Sequence, residues 1–186
     1  MSKLTIFSES DLTCPESVTT DSAEIARLLN EKGVRFEHWP TRELPESATQ
    51  EEILDAYEID VNRLKEECGF ATADVVKLTP DHPQRDAFRT KFLSEHIHSE
   101  DEVRFFVEGQ GLFYLHLQDK VYVVLCEKQD LISVPDGATH WFDMGPAPRF
   151  TCIRLFSNPE GWVAQFTGTD IAERTPRWED LMGGNR

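Results

Sequence analysis

Residues 94–109, SEHIHSEDEVRFFVEG, place two histidines and four carboxylates within nine positions and then run into an apolar stretch. Imidazole nitrogen and carboxylate oxygen together make a mixed N/O site for a divalent transition metal. A strand presents every second side chain on one face, and His96, His98, Glu102 and Arg104 share that parity. The polar run 99–101 interrupts it as a turn or bulge, so the parity is firmest within VRFFVE, where Glu102, Arg104 and Phe106 fall together. A fourth donor is available in His140, which follows the turn sequence PDGAT and opens HWFDM. The competing reading is a solvated acidic loop that happens to contain histidine, with Arg104 a strand arginine paired to Glu100 or Glu102.

Positioning such donors requires strands, and the second half of the chain supplies them. VRFFVEG, LFYLHLQ, VYVVLCE, LISVP, HWFDM, FTCIRLFS and WVAQFTG follow one another, separated by EGQG, QDK, KQD, PDG, GPAP and NPEG. Those breaks have turn chemistry, and many short strands at close spacing imply a sandwich or small barrel. The first half is mixed. KLTIFS (3–8), VRFEHW (34–39) and VVKL read as strands. DSAEIARLLNEKG carries Ile25, Leu28 and Leu29 at helical spacing and stops at Gly33. TQEEILDAYEIDVNRLKEECG reads as one helix opened by a Thr49/Glu52 capping box, and a weaker helix covers 84–93. The expectation is a mainly β single domain, 1–186: a helix-containing part (1–94) packed outside, core barrel strands (95–168) and a C-terminal tail (169–186).

Composition limits the partners. Nineteen basic residues against 34 acidic ones give a net charge of −15, so a nucleic-acid duplex or an anionic membrane would repel the chain. No apolar run approaches membrane-spanning length, and MSKLTIFSES lacks a signal-peptide core, so the expected location is cytoplasmic. The four cysteines show no C-x-x-C spacing, and Cys126 and Cys152 sit in apolar runs where a buried thiol is the expectation.

The motifs carry a specific resemblance. His96-x-His98-x3-Glu102-x6-Gly109 resembles the first cupin motif, and Pro135-x-Gly137-x2-His140 resembles the second. Gln129 and Met144 stand where the second motif often has glycine and asparagine; neither position is a ligand. EHIHSEDEVRFFVEGQGLFYLHL, CEKQDLISVPDGATHWFDMG and RLFSNPEGWVAQFTG, together with LTIFS and KGVRFEHW, are similar to the bacterial acireductone dioxygenases, cupin enzymes of methionine salvage. The resemblance covers most of the chain. It implies a cupin, jelly-roll-like β-barrel with N-terminal helices outside.

It also implies a site. His96, His98, Glu102 and His140 would hold one Fe(II) or Ni(II) per monomer, and Arg104 would help generate the substrate dianion. Glu95 would act in metal incorporation and Asp101 in relaying conformational change, against the plain alternative of a solvated acidic loop. The substrate would be 1,2-dihydroxy-3-keto-5-methylthiopentene, cleaved by O2. With iron the implied products are formate and 4-methylthio-2-oxobutanoate; with nickel they are formate, carbon monoxide and 3-methylthiopropanoate. Phe92, Phe106, Phe142 and Trp162 are candidates for an apolar pocket around the methylthio tail, with ordinary core packing as the alternative for each. His38, His82 and His116 belong to no constellation and read as histidines without function. Other cupin metalloenzymes, or a metal-dependent binding module, are the remaining alternatives. A monomer is expected, acting on a small molecule and O2, without nucleic acid or membrane.

Overall fold

The computed structural model describes residues 1–158 and 163–183. In chain order the elements are β1 (Lys3–Ser8), β2 (Ser17–Thr19), α1 (Ser22–Asn30), β3 (Arg35–His38), α2 (Gln50–Ala56), α3 (Glu58–Cys68), β4 (Thr72–Leu78) and α4 (Arg85–Phe92). These are followed by β5 (His96–Ile97), β6 (Glu102–Leu117), β7 (Lys120–Glu127), β8 (Asp130–Val134), β9 (Thr139–Asp143), β10 (Phe150–Phe156), β11 (Gln165–Phe166), α5 (Ile171–Arg174) and α6 (Trp178–Met182).

Every strand pairing is antiparallel, and β6 joins two sheets. Its first half pairs with β8 and β10, extending to β3 and β4. Its second half pairs with β7 and β9, extending to β1, β2, β5 and β11. Two sheets sharing a bent strand enclose a barrel interior, and the mainly β cupin expectation stands. EGQG is therefore not a turn between two strands, as its composition implied. Gly109 has φ +80°, and the register against β10 shifts beside it, so one 16-residue strand bends there without ending. Gln129, at the position where the motif often has glycine, takes the same hand of backbone at φ 88°.

The barrel strands read as unbroken apolar runs because both of their faces are covered. The interior holds Leu4, Phe36, Phe106, Phe113, Leu115, Val124, Ile132, Phe142 and Cys152, with Ile25 and Leu29 of α1 packed onto it. The opposite face of the β6–β8–β10 sheet presents Val103, Phe105, Leu131 and Ile153 to Trp39, Ile53, Tyr57 and Leu64 of the helical region. The outer face of the other sheet, with Tyr114, Val123 and Trp141, is covered by Ile171 and Ala172. The C-terminal segment thus forms two short helices, of which α5 is a buried cover.

The Thr49 capping box forms as expected, with Thr49 accepting from the Glu52 amide and Glu52 returning the bond, worth about 1 kcal/mol. The long helix it opens is divided at Tyr57, whose backbone leaves helical geometry at φ −109°, ψ 15°. Tyr57 is fully buried, its ring lies 5.0 Å from that of Phe105, and its hydroxyl accepts from the Arg42 amide. Packing on the sheet decides that break. All four cysteines are free, with Cys126 and Cys152 buried. Among the described residues no helix is long and apolar enough to cross a membrane.

Candidate metal centre

The four donor residues come from three strands and the turn between two of them, drawing on both sheets, and meet at one mouth of the barrel. β5 is only two residues long and starts at His96; the chain turns through His98, and β6 then begins at Glu102. His96 pairs in register with His140 on β9, which lies between β5 and β6. Convergence of His98 with Glu102 therefore depends on the turn, while Glu102 and Arg104 share a strand face as their spacing implied. One donor atom from each of His96, His98, Glu102 and His140 lies within 4.8 Å of the others, and all four residues are buried.

The hydrogen bonds define what this cluster can hold. His96 Nδ1 lies 2.7 Å from the Ser94 carbonyl oxygen, and His140 Nδ1 lies 2.8 Å from that of Ala138. A carbonyl only accepts, so both rings carry their proton on Nδ1 and turn a lone pair at Nε2 toward the cluster. Glu102 Oε2 sits 3.0 Å from His140 Nε2 and 3.0 Å from His98 Nε2. A lone pair facing a carboxylate is unfavourable unless a cation lies among them, so the donor set fits a divalent ion.

Electrostatics keeps His96 and Glu102 in their ligating forms. Burial disfavours a charged ring at His96, the neighbouring His140 adds to it, and the imidazole is held down at about 4. Burial by itself would raise the Glu102 carboxyl. Arg104, whose Nε donates to Oε1 at 2.6 Å, opposes it, and the group is held well below the usual carboxylate range. Arg104 is itself enclosed, its guanidinium carbon 5.1 Å from the ring centre of Phe142, 5.8 Å from Phe113 and 6.0 Å from Phe92.

The cluster opens into a cavity of about 520 Å³ lined also by Lys91, Phe92, Arg104, Phe142, Arg154, Val163, Ala164 and Phe166. Phe92 and Phe142 thus lie on its wall. Phe106 does not: it is fully buried, two positions further along β6, in the core 6.4 Å from Phe150. Trp162 lies outside the described residues. A second cavity of about 530 Å³ beneath the 42–48 loop carries lysine, arginine and glutamate over an apolar floor, without imidazole or thiol.

The acids beside the ligands are structural ties, not a freely solvated loop. Asp101 accepts from the Asp136 amide at 2.9 Å, and the Gly137 amide donates to the His98 carbonyl at 3.0 Å, so the turn before His140 is bound to the turn before Glu102. Glu100 accepts from the amides of Ser157 and Asn158. Glu95 points away from the cluster and is 3% exposed, meeting His116 Nδ1 at 2.7 Å and accepting from the hydroxyls of Thr167 at 2.6 Å and Thr169 at 2.8 Å. Burial pushes its carboxyl up, but these three partners hold it below its ordinary value. His116, read from sequence as a surface or partly buried histidine without function, is partly buried and ties β6 to the residue before the strand that carries His96. Arg154, Lys91, Val163, Ala164 and Phe166 were likewise missed, since none has a distinguishing spacing.

A two-sheet antiparallel barrel with three imidazoles and one carboxylate at its mouth defines a cupin metalloprotein. The model of the ARD/ARD' family matches residues 4–164. An acireductone dioxygenase of Hahella chejuensis is 67% identical over 182 residues, covering 98% of each chain. One of Marinobacter nauticus is 66% identical over 184 residues, 99% of this chain and all of the other. Among solved structures, an acireductone dioxygenase from Bacillus anthracis with a cadmium ion in its active centre is 31% identical, with a TM-score of 0.80 over 89% of this chain and 98% of that one. The chain belongs to the acireductone dioxygenase family, a family of dioxygenase enzymes.

Proposed function

We propose that His96, His98, Glu102 and His140 hold one Fe(II) or Ni(II) per chain, and that the cavity beside them takes an acireductone for cleavage by O2. The observation that carries this reading is the convergence of four buried donors, within 4.8 Å, on a cavity that also exposes two guanidinium groups and three phenylalanine rings. A bound ion would supply Lewis acidity to the enediol oxygens, which would favour loss of their protons. Glu102 offsets one of its two positive charges, so the ion and Glu102 together carry about +1 against a dianion of −2. Arg104 then balances the remaining charge, stabilising the form from which both enol protons have left. Phe92 and Phe142 exclude water on that side and face the methylthio tail. Asp101, through the Asp136 amide, couples the two ligand-bearing turns, and Glu95, through Thr167, Thr169 and His116, sets the strand bearing His96 so that the donors can receive the metal.

The test is to strip the protein, reload it separately with Fe(II) and Ni(II), and supply acireductone with O2. Iron should give formate and 4-methylthio-2-oxobutanoate. Nickel should give formate, carbon monoxide and 3-methylthiopropanoate. No turnover with either metal sinks the reading; identical products from both assign the choice of bond to the pocket walls and not to the ion.

A further inference from the structure

The sheet wall facing the centre carries a row that stability alone does not explain. Across four strands the register places Ile132, Arg104, Arg154 and Asp74 side by side. The next row inward is apolar, with Phe106 opposite Cys152 and Cys152 opposite Val76. Like charges directly opposite on antiparallel strands are destabilising, yet two arginines occupy such a pair here. Each is gripped by its own carboxylate. Arg104 donates to Glu102 at 2.6 Å, and Arg154 holds Asp74 through Nε at 2.8 Å and Nη2 at 2.5 Å. Both line the cavity that contains the four donors.

We propose that Arg154 is a second substrate-binding arginine, contacting the oxygens of the acireductone from the strand opposite Arg104, with Asp74 as the residue that positions it. The inference rests on the dioxygenase reading and adds to it a residue that neither the motifs nor the ligand spacing mark. An acireductone carries three adjacent oxygens, and one guanidinium cannot serve all of them from one side. A bidentate carboxylate fixes the plane of a guanidinium, so its donors meet the ligand without loss of side-chain freedom on binding. Because Asp74 balances the charge of Arg154, the arrangement adds directed donors without adding net charge to the pocket. Phe92 and Phe142 cover the Arg104 side, which leaves the β10 wall for this second contact.

The competing explanation is a cross-strand ion pair between β10 and β4 that only stabilises the sheet. A charge exchange separates the two. In full-length, metal-loaded protein, Arg154→Gln should keep its metal content and lose about 10- to 100-fold in kcat/KM, the range for losing one charge-assisted hydrogen bond to a ligand. Anaerobic titration with acireductone should show the same loss in Kd. The double variant Arg154→Asp with Asp74→Arg restores a cross-strand pair but moves the guanidinium to β4. It should regain the wild-type Tm while kcat/KM and Kd stay impaired. Where the glutamine variant does not fold, Arg154→Lys, which retains a cation for Asp74, should show impaired Kd with near wild-type Tm. Recovery of kcat/KM to within about threefold of wild type in the exchanged variant, or no loss in Arg154→Gln or Arg154→Lys, overturns the proposal. Wild-type protein run alongside keeps the two readings apart. If it turns over acireductone normally while the Arg154 variants match it, only the second arginine is wrong; if it fails with every metal, the dioxygenase reading falls and this proposal with it.

Discussion

Glu102 is a buried carboxylate with Arg104 on one oxygen, while its other oxygen faces the imidazoles, where a bound ion would compensate it. Removing the arginine should therefore act differently with and without metal. Arg104→Ala should bind its ion and fold, yet lose about 100-fold or more in turnover, as for other donors aimed at a developing anion. Stripped of metal, the same variant leaves Glu102 uncompensated and should lose about 3 kcal/mol relative to metal-free wild type. Near wild-type kcat at saturating substrate would return Arg104 to the role of a strand arginine. His96 gives a pH signature of the metal-free protein. Its folded value of about 4 lies below the ordinary 6.5, so between these the unfolded chain binds a proton that the folded chain does not. The stability is complete above 6.5 and is lost as pH falls through that window, by about 3 kcal/mol at the acid end. Denaturant midpoints at neutral and mildly acid pH would show it; a flat profile across the window would contradict the burial argument.

At the scale of elements, β6 is the member on which the site depends, because its start bears Glu102 and Arg104 and its far half pairs with the strand bearing His140. The bend at Gly109 connects the two. A β-carbon there would lie 1.9 Å from the Arg149 carbonyl oxygen and 2.6 Å from Phe150 Cα, backbone atoms that cannot yield locally. Gly109→Ala should cost about 3 kcal/mol or more, combining the left-handed backbone penalty with overpacking. Gly33 has nearly the same φ, +79°, but open space around it, so Gly33→Ala should cost only about 1–2 kcal/mol. Thermal unfolding of both variants isolates the clash, and equal losses would refute it. Helix starts and most strands were legible because capping residues and apolar runs are local signals. The bend in β6 and the division of the helix at Tyr57 were not, since both are set by partners remote in sequence: Arg149 and Phe150 for one, Arg42 and Phe105 for the other.

For the whole molecule, the ligand set ties together segments that the hydrogen-bond ladder holds unevenly. β7 pairs along its length with β1 and β6, whereas β5 has a single register pair with β9 and two with β11. Chelation should therefore lower Tm reversibly, by the equivalent of about 4 kcal/mol when free metal had stood a thousandfold above its Kd. Amide exchange should rise first around 94–98 and 165–167 and leave β7 protected. Uniform deprotection on metal removal, or an unchanged Tm, would mean that the ion does not bridge these strands.

The sequence by itself determined the chemistry on offer. Donor types, the H-x-H-x3-E spacing and a histidine after a turn are covalent facts, and the apolar runs around them demand a β barrel wherever they fold. It also carried the family, through motifs spread over most of the chain. Only the tertiary structure decided which residues complete the site. Glu95 and His116 stand 21 positions apart, Arg154 and Asp74 stand 80 apart, and Asp101 meets Asp136 across 35. Phe106 shares the parity of Arg104 yet falls in the core, because a strand entering a barrel moves each successive same-face residue further from the mouth. Parity specifies a face; depth and cross-strand partners arise only when the sheets close, and no spacing within one segment encodes them.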